Sequence, residues 1–173
     1  VWLDNVHAGA VRVLRKPVLT ERRRGDTSFD VHISALEIGA LDLAEPVAGE
    51  AARFVATLRL SVQEETLDLL DLSLTRADSE ADRATVLYRR RGEYALSVNV
   101  AGAAGGVFAH LLGAPEQEVS LSAVGDGDLQ AGGARYQGQI GEAEFLNGGT
   151  RWTPSGWSSQ AQARLDAFPA LDA

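Results

Sequence analysis

The chain has 173 residues, 45% of them apolar, which is enough to form one folded domain or one section of a longer protein. Its 24 acidic and 16 basic residues give a formal charge of −8, which argues against a nucleic-acid partner because phosphate neutralisation needs a basic surface. Cysteine is absent, which excludes disulfides, thiolate nucleophiles and cysteine-built zinc sites. Methionine is also absent, even at position 1, so we expect residues 1–173 to be a single β-rich section of a longer protein.

Two segments near the start of the chain repeat one another without gaps at an offset of 30. Residues Leu3–Val13 align with Ile33–Leu43, and the six apolar positions and the glycine of each copy coincide. Both copies contain apolar steps of three, such as that from Ile33 to Leu36, which predict β-bulges. A repeat of this kind predicts stacked strands, each of which buries its apolar face against neighbours.

Alternation of apolar and polar residues with a period of two then recurs along the chain and predicts strands. The alternating segments cover residues 54–62, 70–74, 94–100 and 119–123. A helix is the alternative for residues 64–74, but the alternation around Asp71 favours a strand. The sequence Asn147-Gly148-Gly149, with apolar residues on both sides, is the clearest hairpin signal. The pattern therefore predicts an all-β fold built as an elongated, curved, mainly antiparallel sheet.

The stretch from Tyr94 to Pro115 carries no charge and is long enough to cross a bilayer. It also contains four glycines, and its apolar residues alternate up to Gly102. We therefore expect a strand followed by one short helix near 105–113, which ends at Gly113, rather than a membrane span.

Motifs for catalysis and metal binding are missing. His7, His32 and His110 lack zinc-site spacing, and no nucleophile elbow, P-loop or dinucleotide fingerprint is present. The sequence Asp126-Gly127-Asp128 resembles part of a calcium loop but lacks the further oxygen ligands, so a plain turn is favoured. The sequence therefore predicts a protein that is not an enzyme and that uses no cofactor or metal.

Two motifs carry a family resemblance. The repeated pattern apolar-x-x-apolar-x-apolar-Gly-x-apolar-x-apolar resembles the repeats of the AsmA-like proteins, which belong to the bridge-like lipid transfer superfamily. Residues 98–101, 105–115 and 119–129 resemble the central region of the TamB family, the translocation and assembly module of Gram-negative envelopes. In that region a short glycine-bounded helix ending in Leu-Leu-Gly precedes an apolar strand and a Gly-x-Gly turn. The resemblance covers roughly residues 1–150.

The resemblance implies a fold and a function beyond what composition indicates. TamB-like proteins are anchored in the inner membrane and cross the periplasm as a β-taco, a twisted sheet with an apolar concave face. They are linked to phospholipid passage between the inner and outer membranes, and to outer-membrane protein assembly with the barrel partner TamA. This chain is expected to be one periplasmic segment of such a protein, with phospholipid acyl chains as its ligand.

Two functions are compatible with the alternation. One is a lipid groove, whose residues share one alternation phase within each strand: Phe54, Leu58, Leu60, Leu70, Leu72, Leu74, Tyr94, Leu96, Val98, Val100, Val119 and Leu121. The other is a closed β-sandwich that acts as a binding or scaffold module, in which the same side chains are core. We also expect an edge strand, near residues 2–6 or 160–165, to pair with another copy of the fragment.

Overall fold

A computed structural model describes residues 1–15, 30–64, 66–78, 82–90, 94–128 and 130–164. Their eleven strands form one curved sheet that does not close, in the order β1-β3-β4-β5-β6-β7-β8-β9-β10-β11, with β2 paired to β3 beside β1. The strands are β1 (Trp2–Ala8), β2 (Val11–Val13), β3 (Val31–Leu43), β4 (Ala52–Gln63), β5 (Thr66–Arg76), β6 (Arg83–Arg89), β7 (Tyr94–Gly102), β8 (Val119–Gly127), β9 (Gly132–Ile140), β10 (Ala143–Thr153) and β11 (Gly156–Ala163). The prediction of an all-β, elongated, curved sheet is confirmed.

The internal repeat pairs with itself. Leu3 lies opposite Ile33 and Val11 lies opposite Leu41, so the pairing register equals the sequence offset of 30. The bulges predicted in the second copy are present, because the register of β3 against β4 shifts between Ile33 and Leu36 and again between Ile38 and Leu41, where the apolar residues also step by three. The two copies run parallel, whereas all pairs from β3 to β11 are antiparallel.

Two short helices lie beside one long rim of the sheet. The predicted helix is present as α2 (Val107–Leu111), within the expected residues 105–113. A second helix, α1 (Glu45–Ala48), was not expected; its first turn contains Pro46, and it ends at Gly49, whose φ of 84° suits glycine. In α2, Val107 and Ala109 are buried, so this helix covers part of the sheet.

The hairpin predicted at Asn147-Gly148-Gly149 is wrong, because β10 continues through these residues and the chain turns at Pro154 and Ser155. Packing explains the glycine. A Cβ built on Gly148 would lie 2.6 Å from the ring of Tyr136. Glycine at this position therefore makes room for an aromatic ring and does not form a turn. The strand predicted over residues 70–74 is correct, since β5 contains it.

Candidate functional site: an open apolar face

Cross-strand pairing aligns apolar side chains into continuous rows on one face of the sheet. Residues directly opposite one another on neighbouring strands point to the same side. The central row is Val6, Leu36, Leu58, Leu72, Val86, Val98, Ala123 and Tyr136. One flanking row is Leu3, Ile33, Leu60, Leu70, Tyr88 and Leu96, and the other is Ala8, Ile38, Ala56, Leu74, Ala84, Val100 and Leu121. We call the surface formed by these three rows the apolar face.

The opposite face is polar across the same strands. Its central row is His7, Glu37, Thr57, Ser73, Thr85, Asn99, Ser122, Gln137, Asn147 and Gln162. Ion pairs join neighbouring strands on this side, such as Arg53 Nε with Asp42 Oδ1 at 2.6 Å. This contrast identifies the solvent side of the sheet, and it leaves the apolar face as the surface that must be covered or occupied.

The structure brings the twelve residues predicted for the groove to one face, but it separates them into two environments. Phe54 and Val119 are buried, at 2% and 3% exposure, and belong to compact clusters under the helices. The remaining ten are partly exposed: Leu58, Leu60, Leu70, Leu72, Leu74, Tyr94, Leu96, Val98, Val100 and Leu121. The candidate groove therefore consists of these ten residues and their row neighbours, while Phe54 and Val119 form core.

The core clusters lie at the rim of the sheet that carries the helices. Phe54 packs with Ala48 of α1 and Val107 of α2, and its ring meets that of Phe108 edge-on with the centroids 6.1 Å apart. Val119 packs in a second cluster with Ala109, Ala114 and Ile140. Because α1 follows β3 and α2 follows β7, side chains from distant strands meet here above the sheet.

An ion cluster built around the buried carboxylate of Asp82 holds this rim together. The Arg76 guanidinium contacts Glu50 at 2.5 Å, Asp78 at 2.7 Å and Asp82 at 2.9 Å. Asp82 also accepts a hydrogen bond from the backbone N–H of Val107 at 3.0 Å. The hydrogen bonds that Arg76 donates to Asp78, Asp82 and Glu50 raise its pKa, so its charge is fixed. The cluster thereby joins β5, the start of β6 and both helices.

Aromatic rings line the opposite rim. Tyr94 meets Trp152 edge-on at 5.1 Å between ring centroids, and it meets Tyr88 at 5.9 Å. Tyr94 and Trp152 lie three strands apart, separated in their row by Gly127 and Gly132, which leave room for the rings. Burial raises the pKa of the Tyr94 hydroxyl, and the neighbouring Tyr88 raises it further. The aromatic rings therefore give this rim apolar surface, while the hydroxyl and indole N–H groups of the same side chains are polar.

The twelve predicted residues come from β4, β5, β7 and β8, so sequence reasoning missed the four other strands that contribute to the rows. Among these, β6 supplies Ala84, Val86 and Tyr88, and β3 supplies Ile33, Leu36 and Ile38. The alternation Ala84-Val86-Tyr88 was a usable signal, although three apolar residues between arginines give a weak pattern. Tyr136 was a second omission, since its strand alternates with glycine and carries few large side chains.

The structure places the candidate calcium loop in a turn. Asp126 and Gly127 belong to β8, and the turn begins at Asp128, whose carboxylate accepts the backbone N–H groups of Gln130 and Ala131 at 2.7 Å each. These two bonds, that of Ala131 first, lower the pKa of Asp128. Among the described residues, no three His, Asp or Glu side chains come together in a way that could hold a metal ion.

A pocket of about 1000 Å³ lies over β8–β11, away from the centre of the apolar face. Its lining includes Val124, Asp126, Arg135 and Arg151, all on polar-face positions of their strands. The central-row residues Leu58, Leu72, Val86 and Val98 do not line this pocket.

No family model matches this sequence, and no curated protein or solved structure is significantly similar to it. In the part of the chain that the structure describes, neither helix has the length and apolar character needed to span a bilayer.

Proposed function

We propose that the apolar face is a groove for phospholipid acyl chains, in an internal segment of a TamB-like envelope protein that carries phospholipid between the inner and outer membranes. In this proposal the segment lies in the periplasm and the full-length protein is anchored in the inner membrane. The full-length protein also supports outer-membrane protein assembly with a TamA-like barrel partner. The family assignment rests on the motif resemblance alone.

The observation that carries the lipid proposal is the continuity of the three apolar rows. The central row crosses eight strands from β1 to β9, which at about 4.8 Å per strand gives roughly 34 Å of contour, and the flanking rows cross six and seven strands. One acyl tail fills about half of a 30 Å bilayer core, or roughly 15 Å. Exposing a sixteen-carbon tail to water costs roughly 12 kcal/mol, so a carrier needs an unbroken apolar surface at least as long as the tail.

The partial exposure of the rows also supports an open groove. A sandwich would bury this face under a second sheet, whereas the strands of the described ranges all belong to one sheet. The helices cover only the rim that contains Phe54 and Val119. The competing function, a binding or scaffold module without lipid conduction, requires Leu58 and Leu96 to contact only protein.

Photocrosslinking separates the two functions. A photoreactive amino acid is placed at position 58 or 96, and the protein is irradiated with phosphatidylglycerol vesicles. Lipid adducts are expected at both positions. The matched controls are positions 59 and 97 on the opposite face, and position 119 on the same side of the sheet but under α2. Adducts at the controls as well, or only protein adducts at 58 and 96, would reject the groove.

A charge in the groove should stop transport. In the full-length protein, Leu58→Arg or Leu96→Asp places an ion among apolar rows, where burial of an unpaired charge costs several kcal/mol. We expect lipid passage to be lost while Arg59→Asp, on the polar face, retains it. Circular dichroism of each variant checks that the sheet still forms. Normal passage in a folded Leu58→Arg variant would contradict the proposal.

A further inference from the structure

We propose that the outer edge of β1, which pairs with no strand of the described residues, is a binding site for one further parallel strand that carries the same eleven-residue pattern as Leu3–Val13. The inference concerns the edge of the sheet and does not depend on lipid binding. The occupant is a segment with the pattern apolar-x-x-apolar-x-apolar-Gly-x-apolar-x-apolar, aligned in register with β1.

The chain itself shows how such a strand docks. The first copy of the repeat, in β1 and β2, lies on the edge of the second copy in β3, parallel and with equivalent positions opposite one another. The pairing is anchored at both ends, where His32 N donates to Val1 O at 2.9 Å and Ala44 N donates to Val13 O at 3.0 Å. Because β1 and β2 pair with β3 at a constant offset of 30, the outer edge of β1 presents equivalent sequence positions in the same order.

The repeat glycine supplies an independent steric argument. A Cβ built on Gly39 of β3 would lie 3.2 Å from the carbonyl oxygen of Gly9, so the first copy sits close against this glycine. The equivalent residue in the first copy is Gly9, where a Cβ would meet no atom within 4 Å. Within the described chain a side chain at Gly9 would meet no atom, yet the glycine keeps this position open to the close approach that Gly39 permits in the second copy.

The edge carries few of the features that block strand addition, and its charged residues are Asp4 in β1 and Arg12 in β2. Strand β1 contains no proline, lysine or arginine, and Trp2 and Leu3 are 72% and 41% exposed. The other free edge differs, because β11 is exposed along its whole length and consists largely of serine, glutamine, alanine and glycine. Parallel addition at β1 would extend all three apolar rows by one strand, whereas addition at β11 would not.

A peptide with the sequence of residues 1–13 tests the site. It is labelled with a fluorophore, and its binding to the protein is measured by anisotropy, with a scrambled peptide of the same composition as the control. We expect one peptide per chain. Gly9→Val in the protein should weaken binding about tenfold or more, since the added side chain blocks the strand. Ala161→Val in β11 is the matched edge control and should leave the affinity unchanged.

Disulfide trapping measures the orientation, because the chain has no cysteine of its own. The protein carries His7→Cys on the exposed edge, and the peptide carries a cysteine at its position 7 or position 3. Parallel in-register docking joins position 7 to position 7, whereas antiparallel docking joins 7 to 3. Trapping at position 3, equal binding by Gly9→Val, or binding of the scrambled peptide would overturn the proposal.

A second copy of the chain is the remaining alternative occupant, and sedimentation tests it. The free edges of a second copy are its β1 and β11, because its β3 already pairs on both sides. Dimerisation that Gly9→Val abolishes, with no peptide binding to the monomer, would assign the edge to self-association and reject a repeat-specific site.

Discussion

Alanine substitutions of two valines on the same side of the sheet test whether the apolar face is covered. Val119 is 3% exposed and packs under α2 with Ala109, Ala114 and Ile140. Val98 occupies the central row on the neighbouring strand and is only partly buried. Replacing each valine with alanine removes the same two carbon groups from two environments.

The expected costs differ because only one site is enclosed. Val119→Ala loses about 1.6 kcal/mol of transfer free energy, from two groups at about 0.8 kcal/mol each. The cavity left under the helix adds about 1 kcal/mol, giving about 2.5 kcal/mol in total. Val98→Ala should cost about 1 kcal/mol, because part of the side chain already meets solvent and water fills the space that it leaves.

Urea unfolding followed by circular dichroism gives the free energy of unfolding of each variant. A difference of about 1.5 kcal/mol between the two variants is expected, with an unchanged dependence on urea concentration. Equal losses would mean that Val98 is as enclosed as Val119. That result would refute an open apolar face and favour a closed core.

Two further predictions concern the helical rim and the polar face. Gly106→Ala should destabilise the fold by about 2–4 kcal/mol in urea unfolding. The new Cβ would lie 2.4 Å from Asp82 Oδ1 and would displace the carboxylate that Arg76 binds. The control is Gly9→Ala, whose Cβ would meet no atom within 4 Å, and it should change the urea midpoint little. Hydrogen bonding to Arg53 holds the pKa of Asp42 below its usual value, with Arg12 contributing. The folded carboxyl therefore loses its proton more readily than the unfolded one, so its contribution to stability is present above about pH 4 and is lost as the pH falls through the lower folded pKa. Asp42→Asn should thus flatten the acid limb of the unfolding midpoint against pH, and an unchanged limb would exclude this role.

The sequence predicted those features that depend on local periodicity. The offset of 30 between Leu3–Val13 and Ile33–Leu43 became the pairing register itself, and the apolar steps of three became bulges. It did not predict that the copies run parallel, since two alternating strands carry the same pattern in either orientation.

Features set by distant contacts were not predictable in this way. Phe54 and Leu58 share one alternation in β4, yet one is core and the other lies on the open face. The difference comes from α2, which is about fifty residues further along the chain. The hairpin prediction at Asn147-Gly148-Gly149 was wrong for a related reason. Gly148 accommodates the ring of Tyr136 from the neighbouring strand and does not reverse the chain.

The position of the core follows from where the alternation stops. The apolar face of a single sheet is buried only where another element lies over it. In the described chain, α1 and α2 are the helices that interrupt the strands. Both follow strands that end at the same rim, and they meet where a Cβ on Gly49 would lie 2.8 Å from Cβ of His110. The compact clusters form beneath this contact, while the rows from Leu58 to Val98 have no helix above them. An apolar face that is stabilised at one rim can therefore remain open along its length, which is the geometry that a bound acyl chain requires.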